Sequence, residues 1–296
     1  MTMEGFTRTE IETSGARIVA AHGGKGPPVL LLHGNPFTHL SWHKFAPRLA
    51  QDFTVVATDL RGYGDSEKPP STPNHESYSF RAMAQDQVEV MAALGFGKFM
   101  VAGHDRGARV VHRMCLDHPD KVERAAILDI VPQHHLFNNI TQAWATYAYH
   151  WFFMIQPAPM PERLMSADPD FFITKKLAKT EKGLSFFGRE ALEEYKRCFR
   201  NPETVRAMCE DYRATASVDL QMDTADFAAG KRIECPALIL WGATGSVGKH
   251  QRPAEVWPKY ARNIAGMKAL PCGHYLSEEA PEETYAELRA FFSARN

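Results

Sequence analysis

The sequence lacks an excess of either charge and has no long apolar run. Its 296 residues include 34 Lys and Arg against 35 Asp and Glu, which gives a formal net charge of −1. The sequence therefore lacks the excess of positive charge that is typical of proteins that bind nucleic acid or an anionic membrane surface. The longest apolar runs, such as residues 237–241, have the length of a strand and are far too short to span a bilayer. We therefore expect no nucleic-acid or membrane partner, and an anionic ligand must be held by local charges.

Paired cysteine motifs and metal-site spacings are also missing. The five cysteines are scattered, odd in number and never spaced as Cys-x-x-Cys, which favours reduced thiols in a cytoplasmic protein. The N-terminal nine residues contain no apolar segment of the kind found in secretory signals. The 13 histidines share no spacing typical of a metal site. We expect a cytoplasmic location, no metal and no organic cofactor.

Short apolar runs alternate with helical patterns along most of the chain. This alternation is typical of a mostly parallel sheet flanked by helices. The predicted strands are residues 28–32, 53–57, 99–102, 125–128, 237–241 and 267–270. The predicted helices of the core are residues 80–94, 106–116 and 281–295, of which the first stops at Gly95 and the last has proline in its first turn.

The stretch from about residue 131 to 217 differs from the rest. It is rich in aromatic residues, prolines and charges and contains no run that resembles a strand. The simplest interpretation is a helical subdomain inserted between two strands of the sheet. We therefore predict a core domain formed by residues 1–131 and 218–296, and a helical cap formed by residues 132–217.

One turn has the features of a nucleophile elbow. The segment Gly103-His104-Asp105-Arg106-Gly107 lies between a predicted buried strand and a predicted helix, and small residues two before and two after allow a strained turn to expose the central side chain. A carboxylate at that position is already an anion and can attack carbon to give an ester. The plain alternative is that Asp105 only caps the helix, since Asp is favoured at that position. We predict that Asp105 is a nucleophile.

The residues that would assist Asp105 follow other strands. His274 comes late in the chain, after the strand at 267–270, where such folds carry their catalytic base. The turn after the strand at 237–241 contains no carboxylate, whereas Asp129 directly follows the strand at 125–128. By position and by elimination, Asp129 is the predicted acid that orients His274. The order Asp105, Asp129, His274 is the chain order of nucleophile, acid and base that is typical of folds with such an elbow.

Arg106 and Arg109 lie in the first turn of the helix behind the nucleophile. A cation at a helix N-terminus is unfavourable by about 0.3–1 kcal/mol, so two of them indicate an anion nearby. The functional interpretation is a fork that holds a substrate carboxylate through charge-assisted bonds. The alternative is a surface pair that bridges to acids such as Asp59 or Asp117.

With these segments in order, the chain resembles the fluoroacetate (haloacetate) dehalogenases of the α/β-hydrolase superfamily over nearly its whole length. The resemblance rests on residues 33–36, 59–66 and 103–109, together with Asp129 and the Gly273-His274 pair. The arginines at 106 and 109 are its most selective element, since haloalkane dehalogenases and epoxide hydrolases typically carry tryptophan directly after the nucleophile. The resemblance implies an α/β-hydrolase fold with an inserted helical cap, and a homodimer.

The resemblance also implies residues that receive the departing halide. His150 and Trp151 match the His-Trp pair that opens the cap in that family, and Tyr212 matches its cap tyrosine, with Tyr147, Tyr149 and Tyr195 as alternatives. Donors of this kind stabilise charge that develops in the transition state and are worth about 3 kcal/mol each.

The oxyanion hole is expected from the backbone N–H groups of Asn35 and Arg106. Asn35 stands where phenylalanine is expected in many fluoroacetate dehalogenases, and asparagine at this position resembles the haloalkane dehalogenases, where it binds halide. The resemblance therefore leaves open whether the Asn35 side chain contacts the halide and whether fluoride or a larger halide is preferred.

The sequence therefore predicts a hydrolytic dehalogenase that converts fluoroacetate and other short 2-haloacids to glycolate and halide through an aspartyl ester. An epoxide hydrolase or a haloalkane dehalogenase with the same nucleophile is an alternative, and Tyr149 with Tyr212 are candidates for protonating an epoxide oxygen. A non-catalytic protein that binds small molecules on this fold is a third possibility, but it would have little reason to keep all three residues Asp105, Asp129 and His274.

Overall fold

The strands form one central sheet in a computed structural model that describes residues 3–178 and 183–294. The sheet has eight strands in the order β1-β2-β4-β3-β5-β6-β7-β8. The strand pairs β1–β2 and β2–β4 are antiparallel, and every later pair is parallel. The strands are β1 (Thr7–Glu12), β2 (Arg17–Gly23), β3 (Pro28–Leu32), β4 (Thr54–Thr58), β5 (Phe99–His104), β6 (Val122–Leu128), β7 (Ala237–Gly242) and β8 (Ile264–Leu270).

Helices cover the sheet and fill the long connection between β6 and β7. In the core they are α1 (Ala46–Leu49), α2 (Phe80–Ala93), α3 (Arg106–Asp117), α12 (Ser246–His250), α13 (Pro253–Val256), α14 (Leu276–Glu279) and α15 (Pro281–Ser293). Between β6 and β7 they are α4 (Gln133–Asn138), α5 (Gln142–Tyr147), α6 (Tyr149–Met154), α7 (Met160–Ala167), α8 (Pro169–Leu177), α9 (Arg189–Phe199), α10 (Pro202–Ala214) and α11 (Leu220–Ala228), with a π-helical turn at Thr215–Asp219. Within the described ranges no helix is long and apolar enough to cross a bilayer.

The predicted fold class is confirmed, and all six predicted strands are present. Two strands were missed, β1 and β2, which form the antiparallel edge. In β1 only Ile11 is apolar and the other residues are polar or charged, because an edge strand with an exposed face needs little hydrophobic content. The predicted helix 281–295 ends at Ser293, and residue 295 lies outside the described part of the chain.

The described residues of the insertion after β6 form helices. Residues 179–182 of the insertion lie outside the described part of the chain. The predicted cap boundary at 217 falls within the π-helical turn that joins α10 to α11. Beyond this turn, α11 is fastened to core helix α3, since Arg113 forms ion pairs of 2.6 Å with Asp223 and with Asp226. The domain boundaries stay a prediction, and α11 is the helix that returns the chain to the core.

Candidate active site

Asp105 occupies a strained turn between β5 and α3. Its φ of 51° and ψ of −115° lie outside the regions that most residues adopt. A Cβ at Gly103 would lie 2.4 Å from the carbonyl oxygen of Gly107, and a Cβ at Gly107 would lie 2.3 Å from that of Leu32. Only glycine therefore fits on either side of the turn, as a nucleophile elbow requires.

One oxygen of Asp105 is held by backbone donors. Its Oδ1 accepts hydrogen bonds from the N–H groups of Arg106 at 2.6 Å and Asn35 at 3.3 Å. These are the two donors that the sequence assigned to an oxyanion hole. Burial alone would raise the pKa of Asp105, but the hydrogen bond and the charge of His274 hold it well below its usual range. The carboxylate is therefore an anion at neutral pH.

His274 lies between the two aspartates. Its Nε2 is 3.3 Å from Oδ2 of Asp105, and its Nδ1 is 2.5 Å from Oδ2 of Asp129. The other oxygen of Asp129 accepts a hydrogen bond of 2.8 Å from the N–H of Gly242, at the end of β7. The turn that lacks a carboxylate thus supplies a donor for the acid that follows β6. The structure brings the three predicted residues together in the order that nucleophile, base and acid require.

The protonation of His274 gives a prediction about stability. Burial lowers its pKa, but the hydrogen bonds to Asp105 and Asp129 outweigh burial and raise the pKa to about 9 from 6.5. The folded protein therefore binds one proton more than the unfolded chain between these values. His274 should stabilise the fold fully below pH 6.5 and lose this effect as the pH rises through about 9.

Urea unfolding across this pH window measures the effect. The free energy of unfolding of the wild type, relative to that of His274→Gln, should fall by up to about 1.4 kcal/mol per pH unit between pH 6.5 and 9. A constant difference between the two proteins over this window would contradict the raised pKa.

Arg106 is buried and already paired with a carboxylate of the cap. Its Nε donates to Oδ2 of Asp211 at 2.9 Å, and its Nη2 donates to Oδ1 of Asp211 and to the hydroxyl of Thr215. The surface pairing with Asp59 or Asp117 that the sequence left open is therefore wrong. Only Nη1 of Arg106 has no hydrogen-bond partner among the described residues. The predicted fork is uneven, because most of one guanidinium is engaged by the protein itself.

Arg109 is a buried cation that forms no ion pair with the described residues. It is 6% exposed, and its Nη1 donates to the carbonyl oxygen of Val131 at 3.2 Å. Its Nε has no partner, and no carboxylate of the described chain lies within ion-pair distance. Burial and the neighbouring charge of Arg106 lower the pKa of Arg109 to about 10, so it stays protonated at neutral pH.

The three residues expected at the halide site lie together. The ring of Tyr212 is 5.8 Å from that of His150 and 5.4 Å from that of Trp151. Trp151 also packs under the guanidinium of Arg109, at 4.8 Å from its ring centroid. Burial raises the pKa of Tyr212, which is therefore a neutral phenol. Tyr149 is 49% exposed and does not line the active-site cavity, so its expected role in an epoxide site is not supported.

A cavity of about 60 Å³ adjoins Asp105. This volume is far below the roughly 300–1,000 Å³ of pockets for drug-sized ligands, so the cavity suits a small substrate. It is lined by residues of both the core and the insertion, among them Asn35, Asp105, Arg109, Asp129, His150, Trp151 and His274, and Arg106 and Tyr212 are not among its lining residues.

Sequence reasoning missed or left open some residues at this cavity. Lys176 lines it from the end of α8 although it is only 5% exposed, and a lysine at a helix end gives no signal of this kind. Tyr147, which was only an alternative, also lines the cavity.

The Asn35 side chain donates through Nδ2 to the hydroxyl of Tyr63 at 3.2 Å. One of the two N–H groups of this amide is therefore engaged by Tyr63.

Comparisons with known proteins agree with this geometry. The family model of the alpha/beta hydrolase fold matches residues 27–281. The chain is 43% identical to a fluoroacetate dehalogenase from Burkholderia sp, over 98% of this chain and 95% of the relative. It is 33% identical to a soluble epoxide hydrolase from Corynebacterium sp. (strain C12), over 97% of this chain and 98% of the relative.

A solved structure is similar along almost its whole length. This protein from Nostoc sp PCC 7120, provisionally assigned as an α/β hydrolase, superposes with a TM-score of 0.95 at 51% identity and covers 98% of this chain and 99% of its own. The predicted resemblance to the haloacetate dehalogenases within the α/β-hydrolase superfamily is confirmed. The protein is therefore a hydrolase that belongs to the α/β-hydrolase family.

Proposed function

We propose that the protein is a hydrolytic haloacetate dehalogenase that converts fluoroacetate and other short 2-haloacids to glycolate and halide. The observation that carries this proposal is Arg109, a buried cation that lines the small cavity beside Asp105 and forms no ion pair with the described residues. A buried charge is costly unless it is paired, so the cavity is suited to an anion. A carboxylate on Arg109 would leave its α-carbon to face the nucleophile.

In the first step Asp105 attacks the α-carbon. Its Oδ1 is held by two N–H groups, which leaves Oδ2 to form the new C–O bond while the carbon–halogen bond breaks and the halide departs with the electron pair. His150 and Trp151, which line the cavity, receive the halide, and Arg109 holds the carboxylate. Fluoride accepts hydrogen bonds strongly, so converging donors lower the barrier to its departure.

In the second step water hydrolyses the ester. Esterification removes the charge of Asp105, one of the two carboxylates that raise the pKa of His274. His274 therefore becomes a base when it is needed and takes a proton from water, whose oxygen attacks the ester carbonyl. The N–H groups of Asn35 and Arg106 stabilise the oxyanion. Its collapse releases glycolate, which takes the proton from His274, and leaves Asp105 as the carboxylic acid, which then loses its proton to restore the carboxylate.

An epoxide hydrolase is the second candidate. It is favoured by Tyr147, which lines the cavity, and by the similarity to a soluble epoxide hydrolase. Arg109 forms no ion pair with the described residues, and nothing in a neutral epoxide would pair with it, which argues against such a substrate. A haloalkane dehalogenase is disfavoured for the same reason.

A substrate panel tests the proposal. Purified protein is assayed with fluoroacetate and chloroacetate by halide-selective electrodes, and with an aryl epoxide by diol formation. We expect release of both halides and no diol. Turnover of the epoxide with inert haloacetates would overturn the proposal in favour of the second candidate.

Exchange of Arg109 for leucine should weaken substrate binding. Removal of one partner of a buried charge pair costs about 2–5 kcal/mol, so the KM for fluoroacetate should rise by roughly 30-fold or more. Since the arginine forms no ion pair with the described residues of the free protein, its loss should not lower the Tm. The matched control is Arg262→Leu, whose arginine is 62% exposed and pairs with Glu234. An unchanged KM in Arg109→Leu would contradict the assignment.

A further inference from the structure

The turn that carries His274 lies between β8 and α14 and is fastened on both sides of the histidine. The N–H of Gly273 donates to Oε2 of Glu279 at 2.9 Å, and the N–H of Tyr275 donates to Oε1 of the same carboxylate at 3.0 Å. The carbonyl oxygen of His274 accepts from Nε2 of His104 at 2.7 Å. Each of the three consecutive residues 273–275 therefore has a backbone group that is hydrogen-bonded to a side chain.

Glu279 folds back from the last position of α14 to reach this turn. Its own N–H donates to the carbonyl oxygen of Tyr275 at 2.7 Å, which fixes the start of its side chain. A Cβ at Gly273 would lie 2.8 Å from Oε1 of Glu279. A larger residue at 273 would therefore displace the carboxylate, and glycine is explained by the close approach of Glu279.

We propose that Glu279 is a positioning residue that holds His274 between Asp129 and Asp105 for ester hydrolysis. The proposal rests on the two-step reaction proposed above. Hydrogen bonds from N–H groups to a carboxylate are about twice as strong as those between neutral groups, and here one carboxylate receives them from both neighbours of the histidine. His104 completes the arrangement from the core side but binds only one carbonyl oxygen.

The two chemical steps depend differently on His274. Displacement of halide needs Asp105 and a bound carboxylate, whereas hydrolysis of the ester needs Nε2 aimed at a water molecule. A shift of the histidine should therefore slow hydrolysis and leave alkylation unchanged. A general loss of packing would lower the rates of both steps together. The ratio of the two rates therefore distinguishes a positioning role from a structural one.

The test variant is Glu279→Gln, which keeps the size of the side chain but replaces one acceptor oxygen by an N–H donor. Rapid-quench measurements with fluoroacetate should show alkylation at the wild-type rate and ester hydrolysis slower by up to about 10²-fold, so that the ester accumulates. The matched control is Glu283→Gln, an exposed glutamate in the next helix, which should behave as the wild type. Equal losses in both steps, or an unchanged hydrolysis rate, would overturn the proposal.

A second measurement needs no substrate. The His274 ring is titrated by NMR in ¹⁵N-labelled protein and assigned by its absence in His274→Gln. The titratable groups facing the ring are Asp105, Asp129, His104 and Tyr275. In Glu279→Gln its pKa should fall from about 9 towards 6.5, because contact with Asp129 is weakened. An unchanged titration overturns the positioning role. If haloacetates are inert with the wild type but the titration shifts, the proposed function fails and the positioning role stands.

Discussion

Asp105→Asn should release halide from fluoroacetate on the order of 10⁶-fold more slowly than the wild type, as expected when a covalent nucleophile is removed. The amide is neutral, so it lacks the electron-rich oxygen that attacks the α-carbon. The backbone of the elbow should survive the change, since an amide oxygen can still accept the hydrogen bonds from the N–H groups of Arg106 and Asn35.

The measurement is initial-rate fluoride release, with the intact mass checked because hydrolysis of the amide would restore the wild type. Asp120→Asn is the control, since Asp120 is 68% exposed and lies in the turn after α3. Retention of more than about one-thousandth of the activity in Asp105→Asn, with the correct mass, would exclude Asp105 as the essential nucleophile.

His274→Gln should stop the reaction at the ester. The nucleophile is intact, so each protein molecule should release one halide, but steady-state turnover should fall by about 10⁴-fold because no base activates water. Mass spectrometry should find the carboxymethyl group of the substrate attached to the peptide that contains Asp105.

His118→Gln is the matched control, because His118 lies at the far end of α3 from the elbow. This variant should turn over normally. If His274→Gln shows neither a first release of halide nor an adduct, the ester mechanism is wrong even if overall activity is lost.

The residues of the candidate site differ in how far the sequence reveals them. Asp105 could be identified from five neighbouring residues, because the elbow is built locally by two glycines between a strand and a helix. Asp129 and His274 could be placed because the carboxyl ends of parallel strands meet at one edge of the sheet. Their catalytic roles stay predictions, whereas their proximity is a property of the structure.

The partners of these residues could not be predicted in the same way. Arg106 finds its counterion in Asp211, a residue of α10 that lies 105 positions later in the chain. No local pattern indicates which acid of a helical insertion turns towards the core. The contacts of Glu279 could not be predicted for a different reason. A glutamate just before a C-terminal helix is explained by the favourable interaction of a negative charge with the helix N-terminus, so nothing indicates a further role. Long-range pairing and the direction of single side chains are decided by packing.

Asp211 makes the core and the insertion interdependent. Its carboxylate binds Arg106 and also accepts a hydrogen bond of 2.5 Å from the hydroxyl of Tyr63, which in turn contacts Asn35. A chimaera that grafts the insertion of another hydrolase onto this core would leave Arg106 with its charge buried and unmatched unless the graft supplies an acid at the same place. We therefore expect the insertion and the core to evolve together, with residues 63, 106 and 211 inherited or exchanged as a set.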